Sequence, residues 1–148
     1  MKRIVTGLAT IAVGTLLSTA AMAASLNGSQ WQTVDEKTGE KKAIVQISES
    51  NGQVSGKIIK VMNPADAKEK CTKCTGSLKD KPIEGLNFLY GMKADGTNEW
   101  SGGKLVDPES GKVYSGKITL SDNGQSLKLR GYVGSPVFGR SQTWKRIK

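Results

Sequence analysis

Two runs, Lys112-Val-Tyr-Ser-Gly-Lys-Ile-Thr-Leu-Ser121 and Gln125-Ser-Leu-Lys-Leu-Arg-Gly-Tyr-Val-Gly134, joined by Asp122-Asn-Gly124, decide how this chain folds. In the second run Leu127 and Leu129 fall on one side of an extended segment. Lys128 and Arg130 fall on the other, which is the period of a strand with one face buried. Asn-Gly before it is a strong hairpin signal, because the central residues of a tight hairpin turn need positive φ. The same punctuation recurs outward, at Thr38-Gly39, Asn51-Gly52, Asp95-Gly96 and Pro108-Glu-Ser-Gly111. The runs between these turns predict six further strands: Gln30–Val34, Lys42–Glu49, Gln53–Met62, Glu84–Lys93, Asn98–Val106 and Phe138–Ile147. Within Glu84–Lys93, Leu86, Phe88, Tyr90 and Met92 share a face at period two. Eight sequential strands with short turns and no covering helices predict an all-β, antiparallel up-and-down meander. Closing it into a barrel removes its two edges.

Composition agrees with this picture and excludes much chemistry. Glycine makes up 18 of 148 residues, well above the usual ~7%, which favours tight turns over long helices. Val54-Ser-Gly-Lys-Ile58 recurs as Tyr114-Ser-Gly-Lys-Ile118, with Trp100-Ser-Gly-Gly-Lys-Leu105 as a third variant. Glycine inside strands marks sharp coiling or close backbone approach. No phosphate-binding glycine loop is present. The chain has no histidine. That removes Ser-His-Asp triads, Cys-His dyads, histidine metal ligands and c-type haem attachment. No enzyme activity, cofactor or metal site is expected.

The N-terminus predicts a secretory leader over residues 1–23. Lys2 and Arg3 precede an uncharged, largely apolar run, and Ala21-Met-Ala23 provides small residues for cleavage before Ala24. A membrane anchor over Ile4–Leu26 is the alternative, diluted by several Thr and Ser. Cleavage would leave one domain, 24–148, of 125 residues at +7, against +9 for the whole chain. A chain of this size can bury a core without a metal or disulfide staple. The expected location is the periplasm or the exterior of a Gram-negative type cell.

One stretch, Asn63–Pro82, interrupts the meander. It opens with helix-start chemistry: Asn63 as cap, Pro64 in first position and Asp66 in the first turn. A short helix is expected there, followed by Cys71-Thr-Lys-Cys74. In an exported protein this pair reads first as a local disulfide. A redox-active dithiol favoured by Lys70 and Lys73, or part of a metal site, are the alternatives. Asp107 and Glu109 flank Pro108 and read as turn residues. The basic balance is scattered along the strands, and export removes nucleic acid as a partner, leaving weak contact with an anionic membrane surface. A monomer is expected.

An eight-stranded barrel is either filled by side chains or holds one small ligand. Gly56, Gly116 and Gly131 lie mid-strand and leave little side-chain volume there. The candidate ligand-lining residues are Phe88, Tyr90, Trp100, Tyr114, Tyr132 and Phe138. The expected function is binding of an apolar or amphipathic, fatty-acid-like molecule that enters beneath the Asn63–Pro82 loop. The alternatives are an envelope interaction module with a filled barrel, and a thiol-redox accessory protein using Cys71 and Cys74.

Several stretches together resemble a secreted bacterial domain-of-unknown-function family with a lipocalin-like barrel. They are Ala43-Ile-Val-Gln-Ile47, Cys71-x-x-Cys74-x-Gly76, Leu78-Lys-Asp-Lys-Pro-Ile83, Trp100-Ser-Gly-Gly-Lys-Leu-Val-Asp-Pro108, Gly111-Lys-x-Tyr114, Arg130-Gly-Tyr132 and Gly139-Arg-x-x-x-Trp144. The family opening is G-x-W, whereas Gly28-Ser-Gln-Trp31 has one more residue. The resemblance implies a calycin-type barrel with an apolar ligand inside and no defined activity. It also implies that Trp31 packs beneath a basic residue, Arg140 or Arg146, closing one end. Trp31, Arg140, Trp144 and Arg146 are thus expected to be structural.

Overall fold

The computed structural model describes residues 7, 10–15 and 25–148. The expected cleavage site at Ala21–Ala24 and most of the leader lie outside these residues. No helix among the described residues is long and apolar enough to cross a membrane. Eight strands run in sequence: β1 (Gln30–Val34), β2 (Lys41–Ser50), β3 (Gln53–Val61), β4 (Asn87–Ala94), β5 (Glu99–Val106), β6 (Val113–Leu120), β7 (Ser126–Tyr132) and β8 (Gly139–Arg146). Each pairs antiparallel with the next, and β8 returns to β1, so the sheet is a closed barrel. The strand limits fall within three residues of those expected from sequence.

Local chemistry explains the hairpins. Asn51 (φ 52°) and Gly52 (φ 73°) both take positive φ between β2 and β3, as a tight hairpin turn requires. Asp35 Oδ1 accepts hydrogen bonds from the backbone N–H groups of Lys37 and Thr38, each at 2.9 Å, and fixes the β1–β2 turn. These two donors hold the Asp35 carboxyl below the ordinary aspartate range.

Bulges distort the ladders and curve the sheet. The register shifts between Ile44 and Val45, on both sides of Gly56, and between Ser101 and Gly103. In β4 these irregularities reset the side-chain alternation. Leu89 opposes Gly56 and Leu105, and Met92 opposes Val54, so both face the interior. Tyr90 opposes Lys104 and faces outward. The uniform face expected for Leu86, Phe88, Tyr90 and Met92 is therefore broken, because each bulge shifts a period-two pattern by one residue.

The expected helix at Asn63 does not propagate. Asn63 Oδ1 does accept from Ala65 N–H at 3.0 Å, but turns follow it. Lys70 bridges to Pro82 and the Cys71 N–H donates to the Lys81 carbonyl at 2.8 Å. Those pairings draw the chain into an extended course after about two turns, too short a run to repay helix nucleation. Two single-turn 3₁₀ helices, Gly76–Leu78 and Pro136–Phe138, carry no strong signal in the sequence.

Candidate functional site

The two ends of the barrel differ. At the end where β1 starts and β8 finishes, Trp31 is fully buried. Its indole Nε1 donates to Ser29 Oγ at 2.8 Å, and Ser29 Oγ donates to the Leu26 carbonyl at 2.6 Å. The Arg146 guanidinium lies 5.4 Å from the Trp31 ring centroid. It is held there by the carbonyls of Gly124 and Lys148, each at 3.2 Å. Cation–π attraction and packing of the arginine stem seal this end. Arg146, and not Arg140, is thus the basic partner of Trp31. Arg140 opposes Gly131 near the other end.

Above this plug the interior is filled. Phe88 on β4 and Trp144 on β8 are not on neighbouring strands, yet their ring centroids are 6.1 Å apart. This aromatic pair spans the axis and forms a floor. The three mid-strand glycines do not leave empty space. A Cβ at Gly116 would collide with the end of Met92, one at Gly131 would meet Leu105 Cδ2 at 3.0 Å, and one at Gly56 would meet Leu89 at 3.2 Å and Ile47 at 3.3 Å. The room expected from glycine is taken by side chains reaching in from facing and adjacent strands.

Towards the other end the inward positions open to solvent. On β8, inward positions opposite Leu127, Leu129 and Gly131 hold Trp144, Gln142 and Arg140. Trp144 is buried, while Gln142 and Arg140 are exposed. On β6, Ile118 and Gly116 are buried but Tyr114 is only half-buried. On β2, Ile47 and Val45 are buried but Ala43 is half-buried. Gln142 Oε1 accepts from the Trp144 indole at 3.3 Å, giving the floor a polar edge. The mouth therefore has apolar walls (Ala43, Val61, Leu105), one phenol (Tyr114), one amide (Gln142) and one cation (Arg140).

Of the six candidate ligand-lining residues, Phe88, Trp100 and Tyr114 are brought to the interior. Trp100 opposes Ile118 and lies towards the sealed end. Tyr90 and Tyr132 occupy the outer face, and Phe138 is 80% exposed on the β7–β8 connection. Ala43, Val61, Leu105 and Gln142 were not singled out from sequence. Arg130 was read as an outward-facing strand residue and as part of a motif. It donates to the Pro136 carbonyl at 2.6 Å, to Ser141 Oγ at 2.9 Å and to the Val137 carbonyl at 3.4 Å.

Cys71 and Cys74 form a disulfide, and both are buried in the hydrophobic core cluster. The stretch that follows the disulfide rests on the outer wall, where Cys74, Gly76 and Leu78 border a groove of about 410 Å³ with Asn87, Tyr90 and Val113. A side chain at Gly111 would strike the Lys73 carbonyl, and Cys71 Sγ lies 3.5 Å from the Pro108 carbonyl. Asp107 Oδ1 accepts from the Glu109 N–H at 2.9 Å and Oδ2 from Ser110 Oγ at 2.9 Å, as a turn residue does. Among the described residues no group of three or more potential ligands could hold a metal.

A closed eight-stranded antiparallel meander, with a first-strand tryptophan under an arginine at one end, defines a lipocalin-like barrel. The chain belongs to the DUF2147 family of uncharacterised proteins conserved in bacteria, whose model matches residues 29–146. A solved structure supports the fold. It is described as protein HP1028 from the human pathogen Helicobacter pylori, belonging to the lipocalin family. It superposes with a TM-score of 0.71 at 25% identity over 84% of each chain. No curated protein matches the sequence.

Proposed function

We propose that this is an exported, non-enzymatic binding protein that takes one small amphipathic molecule in the mouth of its barrel. The observation that carries the reading is the gradient along the inward face. Side chains pointing to the axis pass from buried at Trp144 and Ile118 to half-exposed or exposed at Tyr114 and Gln142. Inward-facing apolar wall left wet at one end is what a bound apolar group would cover, at ~0.8 kcal/mol per CH₂ buried. The Phe88–Trp144 floor limits depth, so a compact amphipath or short acyl chain fits better than a long chain threaded along the axis. Tyr114, Gln142 and Arg140 provide partners for a polar head group. The lipocalin membership of the solved neighbour adds a fold-level precedent. Export is supported by the leader-like N-terminus and by a disulfide, which oxidising compartments preserve.

A second reading, a filled barrel acting as an interaction module, is favoured by Met92 over Gly116 and by the aromatic floor itself. Titration of stripped protein with fatty acids of graded length, followed by tryptophan fluorescence, separates the two. The binding reading expects a saturable change for short and medium chains, because Trp144 lies beneath the mouth. No saturation at any length, with no small molecule retained in native mass spectra, leaves the filled module.

A further inference from the structure

The β7–β8 hairpin has two further features, the second of which shares Arg140 with the mouth. Its connection exposes three large apolar side chains together: Val133 at 68%, Val137 at 78% and Phe138 at 80%. This tip is held in shape. Arg130 clamps the Pro136 and Val137 carbonyls, and the Phe138 N–H donates to the Ser135 carbonyl at 3.0 Å. A Cβ at Gly139 would meet the Gly131 carbonyl at 2.6 Å, so the absence of a side chain there lets the tip fold back on β7. The apolar groups are thus presented outward by a built loop, and such patches mark interaction surfaces. The second feature is charge. Residues 125–148 hold no acidic residue, and Arg130 and Arg140 flank the tip, while Lys145, Arg146 and Lys148 lie at the sealed end. The three hydrogen-bond partners of Arg130 are all neutral, so its charge stays uncompensated.

We infer that this hairpin docks the barrel on an anionic lipid bilayer, with Val133, Val137 and Phe138 entering the interface and Arg130 and Arg140 lying at the level of the head groups. An apolar tip backed by a cationic stem is the combination that interfacial binding needs. Apolar burial holds the tip, and attraction to anionic lipid adds to it. An acidic protein partner would match the charge but would leave the insertion of three apolar side chains without a role. Docking by the tip also places the barrel mouth, at the same end, next to the membrane surface.

The test uses the protein as recovered after export, with its N-terminus established by intact mass. Co-sedimentation is measured with vesicles of phosphatidylcholine alone and with about one-third phosphatidylglycerol. Wild type is expected to bind the anionic vesicles preferentially and to release as salt rises. The V137S/F138S pair is expected to lose about tenfold in affinity while keeping its melting temperature, because both side chains are already exposed. R140Q is expected to weaken binding to the anionic vesicles and flatten its salt dependence. Wild-type affinity in V137S/F138S, or equal binding to both vesicle types, overturns the proposal. So does competition by soluble polyglutamate that V137S/F138S leaves unchanged, which would assign the surface to an acidic macromolecule.

Discussion

At Gly103 the β5 backbone packs closely against β4. A Cβ there would strike the Tyr90 carbonyl and lie 2.7 Å from the Met92 nitrogen. The obstruction is backbone, which cannot swing aside like a side chain. Gly103→Ala is therefore expected to destabilise the barrel by about 1–3 kcal/mol, seen as a lower urea midpoint. Gly116→Ala meets only the flexible end of Met92 and should cost less, so the order of the two midpoints checks the geometry. The sealed end gives a second test of single residues. Arg146→Ala removes both the cation over Trp31 and its stem, at a cost of about 1–2 kcal/mol, and should shift tryptophan emission to the red. Arg140→Ala should leave both stability and emission unchanged, since Arg140 lies at the open end. Equal effects of the two substitutions would mean that the pairing is wrong.

The long β3–β4 connection shows how an element can be ordered without regular structure. The Cys71 carbonyl accepts from the Asp80 N–H at 3.0 Å, and the Ile83 N–H donates to the Glu69 carbonyl at 3.0 Å, so the two arms of the loop tie to each other. The disulfide closes a very small ring, whose chain entropy alone amounts to about 2 kcal/mol. From sequence alone, removing it is expected to cost little. Burial of both sulfurs in the core cluster raises that expectation. Replacing Cys71 and Cys74 with Ala should lower stability by about 2–3 kcal/mol and leave the far-ultraviolet spectrum of the barrel intact. Loss of the β spectrum would show that this loop organises the sheet. Burial also argues against the thiol-redox alternative, because a partner thiolate must reach a sulfur to exchange with it. Native protein is accordingly expected to resist mild reductant, measured by alkylation and mass, until it is unfolded.

At the scale of the whole molecule, closure depends on a short seam. β1 meets β8 through two residue pairs, Trp31 with Arg146 and Gln32 with Lys145, and Gln30 extends the seam by backbone hydrogen bonds to Ile147 and Lys148. The seam lies at the sealed end, beside the Trp31–Arg146 stack. The pH response of the molecule is equally simple. Without histidine, no side chain of ordinary pKa titrates between about pH 5 and 8, so the unfolding midpoint should stay nearly level there. The carboxyl of Asp35 is lowered by the backbone N–H groups of Thr38 and then Lys37. A depressed folded value means that its contribution is fully present above the ordinary aspartate range and is lost as pH falls through the folded value. The Asp35 contribution is thus expected to be lost only as pH falls below the ordinary aspartate range, and Asp35→Ala should soften the acid decline of the unfolding midpoint. A midpoint that moves between pH 6 and 7 would contradict this.

The number of strands, their order and their turns were legible in the sequence, because period-two alternation and positive-φ turn residues act locally. Leu127 and Leu129 needed no distant partner to declare their face, and Asn51-Gly52 needed none to declare its turn. The link of Trp31 to a basic residue was legible from the family resemblance, but the choice of Arg146 over Arg140 was not. The face of Tyr90 was also out of reach of local reading, whereas Tyr132 follows Lys128 and Arg130 at period two on an unbulged strand, so its outward face was legible. A bulge inserts one extra residue into one strand of a pair and displaces the alternation by one, and where it falls depends on the register with a partner strand. Whether Gly116 and Gly131 leave a void depends on Met92 and Leu105, which lie far from them along the chain. Sequence thus determined the barrel, through local backbone preference and burial period. Tertiary structure alone decided which end is sealed, which is open and how deep the interior is, because packing sums contributions from strands distant in sequence.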